Sequence, residues 1–361
     1  MASDVGVSRR ITIGLVALVV GVAAFAIQLL VLSGAVARFA FDSIRRDQAA
    51  VPYLVLREPG EMLHVLVVGN DTREALPTDD PYWFGTLTGQ RADVVILVAI
   101  DASGTQTRLL SLDRDLRVET SEYGPLTLSE SFGYGGSPLL VRSVAQLTDL
   151  PIHHYVELSF DGFVNFIDRL EGVTVPFCAP SRDLITGLYA PSGSIELDGE
   201  AALALVRSRA FERWVDGEWA AVAQGNTGRA DRQRFVVGRV LEKLRDDLGV
   251  LEAVALAFTV KDVAVVDARF GFGTMLDIIG ASRTNRVEWL ALPTVPLRSQ
   301  TERTSPFPPD HLGGRLYLRP GPEAAETLRE FSSGDVLQLS DNGEGSRDAT
   351  SDPPRQPDTC L

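Results

Sequence analysis

Apolar residues in the first third of the chain fall into three unbroken runs. The longest covers residues 11–32 and carries no charge. At about 22 residues it is long enough to cross a hydrocarbon core as a helix. The runs at 63–68 and 94–100 are short and end at glycine or charged residues. They predict strands that are buried on both faces.

Helical and strand patterns alternate over the following 200 residues or so, which predicts an α/β layered domain. The further predicted strands are at residues 107–112, 155–160, 173–175, 263–266 and 288–292. The predicted helices are at residues 138–147, 163–170, 199–206, 230–248 and 323–331.

This pattern divides the chain into segments with different properties. Arg9 and Arg10 precede the long apolar run, which favours a cytoplasmic N-terminus and an extracytoplasmic domain. A cleaved signal peptide is the alternative, because residues 35–37 are Ala-Val-Ala, but the run is longer than a usual signal-peptide core. The predicted segments are a cytoplasmic tail (1–10), a transmembrane helix (11–32), a connector (33–60), an extracytoplasmic domain (61–331) and a disordered tail rich in Gly, Ser, Asp and Pro (332–361).

Composition narrows the class of protein. A net charge of −14 over 361 residues argues against nucleic acid as a general partner, since phosphate backbones bind basic faces. Cys178 and Cys360 are too few for a disulfide scaffold or a cysteine-rich zinc site. Lysine occurs only at residues 243 and 261, so arginine supplies 32 of the 34 basic side chains.

Charged residues stand at the ends of the first predicted strands. Asp71 follows the first strand and Arg114 follows the third, where loops of an open α/β sheet hold ligand-binding side chains. Asp93 precedes the second strand. It shares that edge of the sheet only if the second strand runs antiparallel to the first.

A second group of basic residues surrounds the start of a predicted helix. Arg207 and Arg209 follow one helix, and Arg229, Arg232 and Gln233 open the next on one shared face. Guanidinium groups at a helix N-terminus oppose its dipole unless an anion binds there. Two aspartates with several arginines suit a diphosphate and one Mg²⁺ ion. The alternative stays open that these arginines are solvated surface residues, because arginine is nearly the only base in this chain.

The order of these motifs resembles the LytR-CpsA-Psr family of cell-envelope proteins. The matching stretches are HVLVVGNDTR (64–73), GQRADVVILVAID (89–101), SLDRDLRV (111–118), a long stretch at 131–175, LDGEAALALVRSR (197–209) and GRADRQRFVVGRVLEKL (228–244). The resemblance covers about residues 63–331. It implies an α-β-α layered sandwich with a central mixed β-sheet, preceded by one N-terminal transmembrane helix.

The resemblance also implies a function. Family members look like phosphotransferases at the cell membrane that move a glycopolymer from a polyprenyl diphosphate carrier to peptidoglycan. By this resemblance Mg²⁺ or another divalent cation binds Asp71 and Asp93. The residues expected to act in catalysis are Asp71, Asp93, Arg114, Arg207 and Arg209. Those expected to bind the diphosphate are Arg73, Arg91, Arg229, Arg232 and Gln233.

Some positions depart from the family pattern. Family members usually have proline at Asp113, often have aspartate at Asn226, and often have Lys-x-Asn at residues 127–129. Relatives frequently pair a cysteine at Cys178 with one near Ser194. The resemblance therefore leaves Cys178 unpaired here, unless it reaches Cys360.

Two other functions stay open at this point. One is hydrolysis of the lipid diphosphate, and the other is a non-catalytic lipid-binding or scaffold role, which the departures at Asn226 and Thr127 suggest. Trp214 and Trp219 could stack on sugar or be exposed loop aromatics. The pair at 153–154 is interpreted as structural histidines, and the glycine-rich stretch 133–136 as a turn before a helix.

Overall fold

The structure is a computed structural model that describes residues 34–36, 38–71, 91–222, 225–247, 264–284, 286–297, 317–333 and 360–361. Its strands, in chain order, are β1 (Arg45–Asp47), β2 (Leu63–Asp71), β3 (Arg91–Ile100), β4 (Gln106–Leu112), β5 (Arg117–Thr120), β6 (Gly124–Thr127), β7 (His154–Ser159), β8 (Val173–Phe177), β9 (Ser181–Asp183), β10 (Leu188–Ala190), β11 (Gly193–Leu197), β12 (Glu212–Val215), β13 (Glu218–Ala221), β14 (Ala264–Asp267), β15 (Arg286–Ala291), β16 (Thr294–Pro296) and β17 (Leu318–Pro320). Its longer helices are α1 (Leu128–Thr148), α2 (Phe160–Arg169), α3 (Gly199–Arg207), α4 (Gly225–Asp247), α5 (Phe272–Thr284) and α6 (Ala324–Ser332).

The centre of the fold is a mixed sheet. Within the described part of the chain it has seven strands in the order β1-β14-β7-β2-β3-β4-β15. β2 runs parallel to β7 and antiparallel to β3, and β3 runs antiparallel to β4. The expected α/β fold with a central mixed sheet is therefore confirmed.

Apolar side chains cover both faces of this sheet. Leu66 and Val68 of β2 point to one face and pack with the buried residues of α1 and with Phe331 of α6. Val65 points to the other face and packs with Phe41 and with residues of α5. This double burial explains why β2 is an unbroken apolar run rather than an alternating one.

A second core lies between α2, α3 and α4 and the strands β8, β10 and β11. Val175, Leu188, Leu205, Phe211 and Val236 are among its buried members. This unit continues directly from the central sheet, because α2 begins where β7 ends. The second core therefore lies at the end of the central sheet where β7 finishes.

Most predicted elements match the structure to within a few residues, with two differences. The glycine-rich stretch at 133–136 is not a turn before a helix but a kink inside α1, where Gly136 has φ 63° and ψ −157°. Pro138 follows the kink, and a proline is tolerated near the start of a helical segment. Trp214 and Trp219 do not stand in a loop but in β12 and β13, which join β9 and β10 in a four-stranded sheet.

The segment 33–60, expected to be a connector, contributes to the fold where the structure describes it. Its strand β1 pairs in parallel with β14 at the edge of the central sheet. Phe41 is 2% exposed and contacts Phe270 and Phe272 edge-on or tilted. Apolar residues in this stretch are spaced irregularly, so the sequence pattern predicts neither a strand nor a helix there.

The expected transmembrane helix at 11–32 lies outside the described residues. In the described ranges, no helix combines the length and the apolar character needed to span a bilayer.

The expected disordered tail at 332–361 lies mostly outside the described residues, except for its first two and last two. Cys360 forms a disulfide with Cys178, with the two Cα atoms 5.1 Å apart. The backbone of Leu361 exchanges hydrogen bonds with Pro176 and Cys178, at 2.8 and 2.7 Å. Cys178 is therefore not unpaired: its partner is Cys360, the alternative that the sequence left open.

Two stacked histidines are buried at the start of β2. The His64 and His153 rings lie 5.5 Å apart and nearly parallel, and Nδ1 of His153 accepts the backbone N–H of His64 at 2.9 Å. The pKa of His64 is lowered to about 4, mainly by burial and in part by the charge of the neighbouring His153. Glu61 lies 3.9 Å from His153 and acts in the opposite direction on both rings.

This pKa shift predicts that acid destabilises the fold. The unfolded chain takes up a proton on His64 below pH 6.5, whereas the folded chain does so only near pH 4, so stability falls as the pH drops through this window. Between pH 7 and pH 5 the loss from this group is about 2 kcal/mol. Urea unfolding of the wild type and His64→Leu at both pH values tests it. When the pH falls from 7 to 5, the free energy of unfolding of His64→Leu should drop by about 2 kcal/mol less than that of the wild type. Equal drops in the two proteins would contradict the prediction.

Candidate active site

Three strand ends meet at one edge of the central sheet. β2 ends there at Asp71, β4 ends there at Leu112, and β3 begins there at Arg91 because it runs antiparallel to both. Asp93 therefore lies on the same edge as Asp71, which is the condition that the sequence left open. The edge brings the first predicted acidic and basic residues into one region.

The pairing of β2 with β3 is irregular at this edge. Asp71 lies opposite Arg91 and Gly69 lies opposite Val94, so the register shifts by one residue at Asp93. A bulge of this kind turns a side chain out of the regular alternation. Gly69 is needed for the close approach, because a Cβ atom there would lie 3.0 Å from the Cβ of Val94.

Asp93 is the acidic centre of a group of arginines. Its carboxylate accepts a hydrogen bond from Nη1 of Arg114, and Nη1 of Arg229 lies 4.0 Å away. Arg114 also lies 3.5 Å from Asp115 through its Nε. All of these side chains are largely buried, so their charges interact more strongly than they would in water.

Positive charge is crowded around Arg229. The pKa of Arg229 is lowered to about 10, mainly by burial and in part by the nearby charges of Arg114 and Arg209. Asp93 and Asp115 raise it by less. Arg209 is exposed, but partial desolvation and the charge of Arg114 likewise lower its pKa. An anion bound at this edge would relieve the repulsion among these three guanidinium groups.

The segment that carries Arg209 is held by a buried carboxylate. Oδ2 of Asp183 accepts hydrogen bonds from the Ser208 hydroxyl at 2.6 Å and from the backbone N–H groups of Arg209 and Ala210 at 2.9 and 2.8 Å. Burial by itself raises the pKa of Asp183, but these hydrogen bonds outweigh it and the pKa is lowered. The turn after α3 is thereby fixed in one conformation.

Arg232 and Gln233 support the same segment from α4. Nη2 of Arg232 donates to the carbonyl of Ser208 at 2.7 Å, and Nε2 of Gln233 donates to the carbonyl of Val206 at 3.1 Å. Both side chains are buried. The hydrogen bonds of these two expected diphosphate ligands thus orient the backbone beside Arg207 and Arg209.

The remaining predicted residues are placed as follows. Arg207 is exposed, with its guanidinium 5.3 Å from the ring of Phe160 at the start of α2. Arg91 is exposed at the start of β3. Only the backbone of Asp71 is described, and Arg73 lies outside the described residues. The edge thus brings together Asp93, Arg114, Arg209 and Arg229, with Asp71 and Arg91 on the adjoining backbone.

The departures noted in the sequence have local consequences. Thr127 caps α1: its hydroxyl accepts the N–H of Glu130 at 3.1 Å, and the Glu130 carboxylate accepts the N–H of Thr127 at 2.9 Å. Asp113 accepts the N–H of Asp115 at 2.9 Å, and burial raises its pKa. The side chain of Asn226 is outside the described part.

A family profile decides the relationship of this chain. The profile of the LytR_cpsA_psr family matches residues 40–307, which span all three strand ends and both arginine-bearing helices. The chain belongs to the LytR_cpsA_psr family.

Individual relatives agree with this assignment. Over 172 residues the chain is 33% identical to the probable cell wall biosynthesis protein LcpB of Corynebacterium glutamicum, covering 47% of this chain and 39% of LcpB. It is 28% identical over 194 residues to the polyisoprenyl-teichoic acid–peptidoglycan teichoic acid transferase TagU of Halalkalibacterium halodurans, covering 53% and 56%. The chain thus spans between about two fifths and just over half of these relatives.

A solved structure shows the same fold. The LytR-Csp2A-Psr enzyme from Actinomyces oris superposes with a TM-score of 0.61 at 23% identity, covering 80% of this chain and 96% of that one. The layered arrangement around the mixed sheet is therefore that of the LytR_cpsA_psr family.

Two buried acids near this site have no signal in the sequence. Asp183 lies 25 residues before Ser208 and resembles any loop aspartate until β9 is placed beside α3. Glu157 of β7 accepts hydrogen bonds from Nδ2 of Asn70 and from the Tyr155 hydroxyl. Burial raises the pKa of Glu157. Glu157 therefore holds Asn70, the residue before Asp71, although 87 positions separate the two along the chain.

We predict that Asp183→Asn destabilises the domain by about 2 kcal/mol or more, because an amide cannot accept from every donor that this carboxylate satisfies. Urea unfolding measures the change. Asp42→Asn is the matched control, since Asp42 is an exposed partner of Arg38 and its loss should cost less than about 0.5 kcal/mol. Equal unfolding free energies for Asp183→Asn and the wild type would show that these hydrogen bonds do not hold the turn.

Proposed function

We propose that this chain is a membrane-anchored phosphotransferase that moves a glycopolymer from a polyprenyl diphosphate carrier to peptidoglycan. The names of relatives support the reaction class, since TagU of Halalkalibacterium halodurans is described as transferring teichoic acid from a polyisoprenyl carrier to peptidoglycan. The site has the charge that such a donor requires.

The observation that carries this proposal is the crowding of Arg114, Arg209 and Arg229 around Asp93. Guanidinium groups bind phosphate oxygens through two parallel hydrogen bonds, so three of them can neutralise a diphosphate. Nε of Arg229 is buried with no hydrogen-bond acceptor among the described residues, and Nε of Arg114 has the Asp115 carboxylate only at 3.5 Å. Buried donors of this kind favour an anion that supplies the missing acceptors.

The acidic residues fit a divalent cation by their chemistry. Asp71 and Asp93 stand on neighbouring strands at the bulge, and carboxylate oxygens are the ligands that Mg²⁺ prefers. When bound, Mg²⁺ supplies Lewis-acid polarisation of the transferring phosphoryl group.

The proposed reaction is an in-line displacement at phosphorus. A sugar hydroxyl of peptidoglycan attacks the phosphorus attached to the glycopolymer and gives up its proton to water. The bond from that phosphorus to the bridging oxygen breaks, and polyprenyl phosphate leaves with the electron pair. Arg114, Arg209 and Arg229 stabilise the charge that develops on the leaving phosphate.

We predict that Arg114→Ala and Arg209→Ala each lower the rate of ligation by about 100-fold or more, because each removes a donor to the developing charge. The assay mixes the full chain with a polyprenyl diphosphate glycan, peptidoglycan and Mg²⁺. Arg209→Lys should restore only part of the activity, since an ammonium cannot form the paired hydrogen bonds. Arg142→Ala is the control, because Arg142 is partly exposed and pairs with Glu122 away from the site.

The same assay separates the alternatives. Glycan phosphate released without peptidoglycan would favour a hydrolase. Tight binding of the carrier without product would favour a lipid-binding scaffold. No ligated product, with the wild type and Arg209→Ala behaving alike, would overturn the proposal.

The proposed location is the cell membrane, with residues 11–32 as a single span, the N-terminus in the cytoplasm and the domain outside. The apolar run and the arginines before it support the span. The disulfide between Cys178 and Cys360 supports the location, since disulfides persist in oxidising compartments.

Reporter fusions test this topology. Alkaline phosphatase, which is active only outside the cytoplasm, should be active when fused after residue 333 and inactive when fused within residues 1–10. The reverse pattern would contradict the proposed orientation. The mass of the membrane-bound protein tests the alternative, because cleavage after residue 37 would remove the span.

A further inference from the structure

The four-stranded sheet β10-β9-β12-β13 has two unlike faces. On the inner face Ser181, Asp183, Leu188 and Ala190 are buried against the helical core. On the outer face, strand pairing sets four residues side by side in one row: Tyr189, Arg182, Glu212 and Ala221. In the next row, Trp214 and Trp219 lie opposite each other.

The aromatic side chains of the outer face are exposed yet held in place. Tyr189 is 68% exposed and Trp214 is 41% exposed. The rings of Trp214 and Trp219 meet edge to face at 5.4 Å. The guanidinium of Arg182 lies 4.1 Å from the centre of the Trp219 ring, and its Nε donates to Glu212 at 2.7 Å. The two tryptophan rings are thus oriented by contacts within the protein, and exposed apolar patches of this kind often mark interaction sites.

The chemistry of this face suits a sugar chain. The C–H face of a pyranose ring is apolar and slightly positive, so it stacks on the negative face of an aromatic ring. Arg182 and Glu212 place a hydrogen-bond donor and an acceptor beside the rings, as sugar hydroxyl and acetamido groups require.

Charge selects among sugar chains. The hairpin of β12 and β13 carries Glu212, Asp216 and Glu218 against the single base Arg213, and Asp216 and Glu218 are exposed. Arg182 pairs with Glu212, so Asp216 and Glu218 leave a small excess of negative charge, which disfavours a polyanionic glycopolymer and anionic lipid headgroups. An uncharged glycan strand carries no such penalty.

The face adjoins the arginine site. Arg182 directly precedes Asp183, the carboxylate that holds Arg209, and Glu212 lies three residues beyond Arg209. Trp214 is five residues from Arg209, so the two lie at most about 16 Å apart. A glycan strand whose hydroxyl reaches the arginine site is therefore long enough to extend onto this face.

We propose that the outer face formed by Tyr189, Arg182, Glu212, Trp214 and Trp219 binds the uncharged glycan strand of the peptidoglycan acceptor. This inference rests on the proposed transfer reaction and identifies where its acceptor is held.

A binding experiment without any donor tests the face separately from the reaction. The probe is a soluble β-1,4-linked oligosaccharide of N-acetylglucosamine, titrated into the detergent-solubilised full chain and followed by tryptophan fluorescence and calorimetry. We expect saturable binding that Trp214→Ala and Tyr189→Ala each weaken by about tenfold, the effect of losing one stacked ring. Tyr189→Ala changes an exposed side chain and so remains informative if Trp214→Ala fails to fold.

Tyr53→Ala is the matched control. Tyr53 is 43% exposed and has the Arg142 guanidinium 5.6 Å from its ring, but it lies beside α1 rather than on this face. Its loss should leave oligosaccharide binding unchanged. In the ligation assay, Tyr189→Ala should raise the KM for peptidoglycan while the KM for the lipid donor stays constant.

Several results would overturn the inference. No saturable binding of the oligosaccharide would do so, as would binding that neither Trp214→Ala nor Tyr189→Ala weakens. Leu184 and Ile185 are exposed at the turn after β9, so a lipid surface is the competing occupant. Binding to phosphatidylglycerol vesicles that depends on Trp214 and Tyr189 would assign the face to the membrane instead. Oligosaccharide binding in a chain that ligates nothing would refute only the proposed reaction.

Discussion

The direction of β3 relative to β2 determines where the charges of this protein meet. Because the two strands are antiparallel, the start of one and the end of the other share an edge, and Asp93 comes to stand beside the backbone of Asp71. β4 runs back in the direction of β2 and delivers Arg114 to the same edge. A parallel β3 would place Asp93 at the far end of the sheet, at a strand's length from any guanidinium of the site.

Holding several guanidinium groups close together costs free energy because their charges repel, and hydrogen bonds in the surrounding structure offset that cost. Asp183, Arg232 and Gln233 make these hydrogen bonds, which fix the backbone from Val206 to Ala210. The donors of the site are thus oriented before an anion arrives, and little reorganisation is left for the moment of binding. The repulsion among the guanidinium groups and the hydrogen bonds that hold their backbone therefore belong to the same site.

The amount that sequence could predict differs between the sheet and its surroundings. β2 and β3 were predictable because burial on both faces requires unbroken apolar runs, whereas β4 is shorter and interrupted by Arg108 and Ser111. The direction of β3 relative to β2 could not be predicted, since a run of apolar residues fits a parallel and an antiparallel strand equally well. β9, β12 and β13 were missed because each has only three or four residues, and residues such as Arg182 and Glu212 satisfy each other on an open face. Asp183 was missed for a related reason, because a carboxylate that binds backbone N–H groups depends on chain segments that meet only in the fold.

The family resemblance and the physical reading were complementary at the site. Spacing alone put Arg229, Arg232 and Gln233 on one helix face, and the resemblance expected all three to meet the diphosphate. The structure distinguishes them by their hydrogen bonds: Arg229 adjoins Asp93, whereas Arg232 and Gln233 donate to the carbonyls of Ser208 and Val206. Residues that share a face and a motif therefore differ in how directly they reach the edge of the sheet.

The bond between Cys178 and Cys360 also changes the covalent topology of the domain. It closes a ring with a sequence separation of 182 residues, which contains Arg209 and Arg229 but leaves Asp93 and Arg114 outside. A protease that cuts once anywhere inside this ring does not release a fragment, because the two pieces stay joined through sulfur. After such a cut, the molecule would keep the two halves of its arginine cluster on one covalent framework until a reductant separated them.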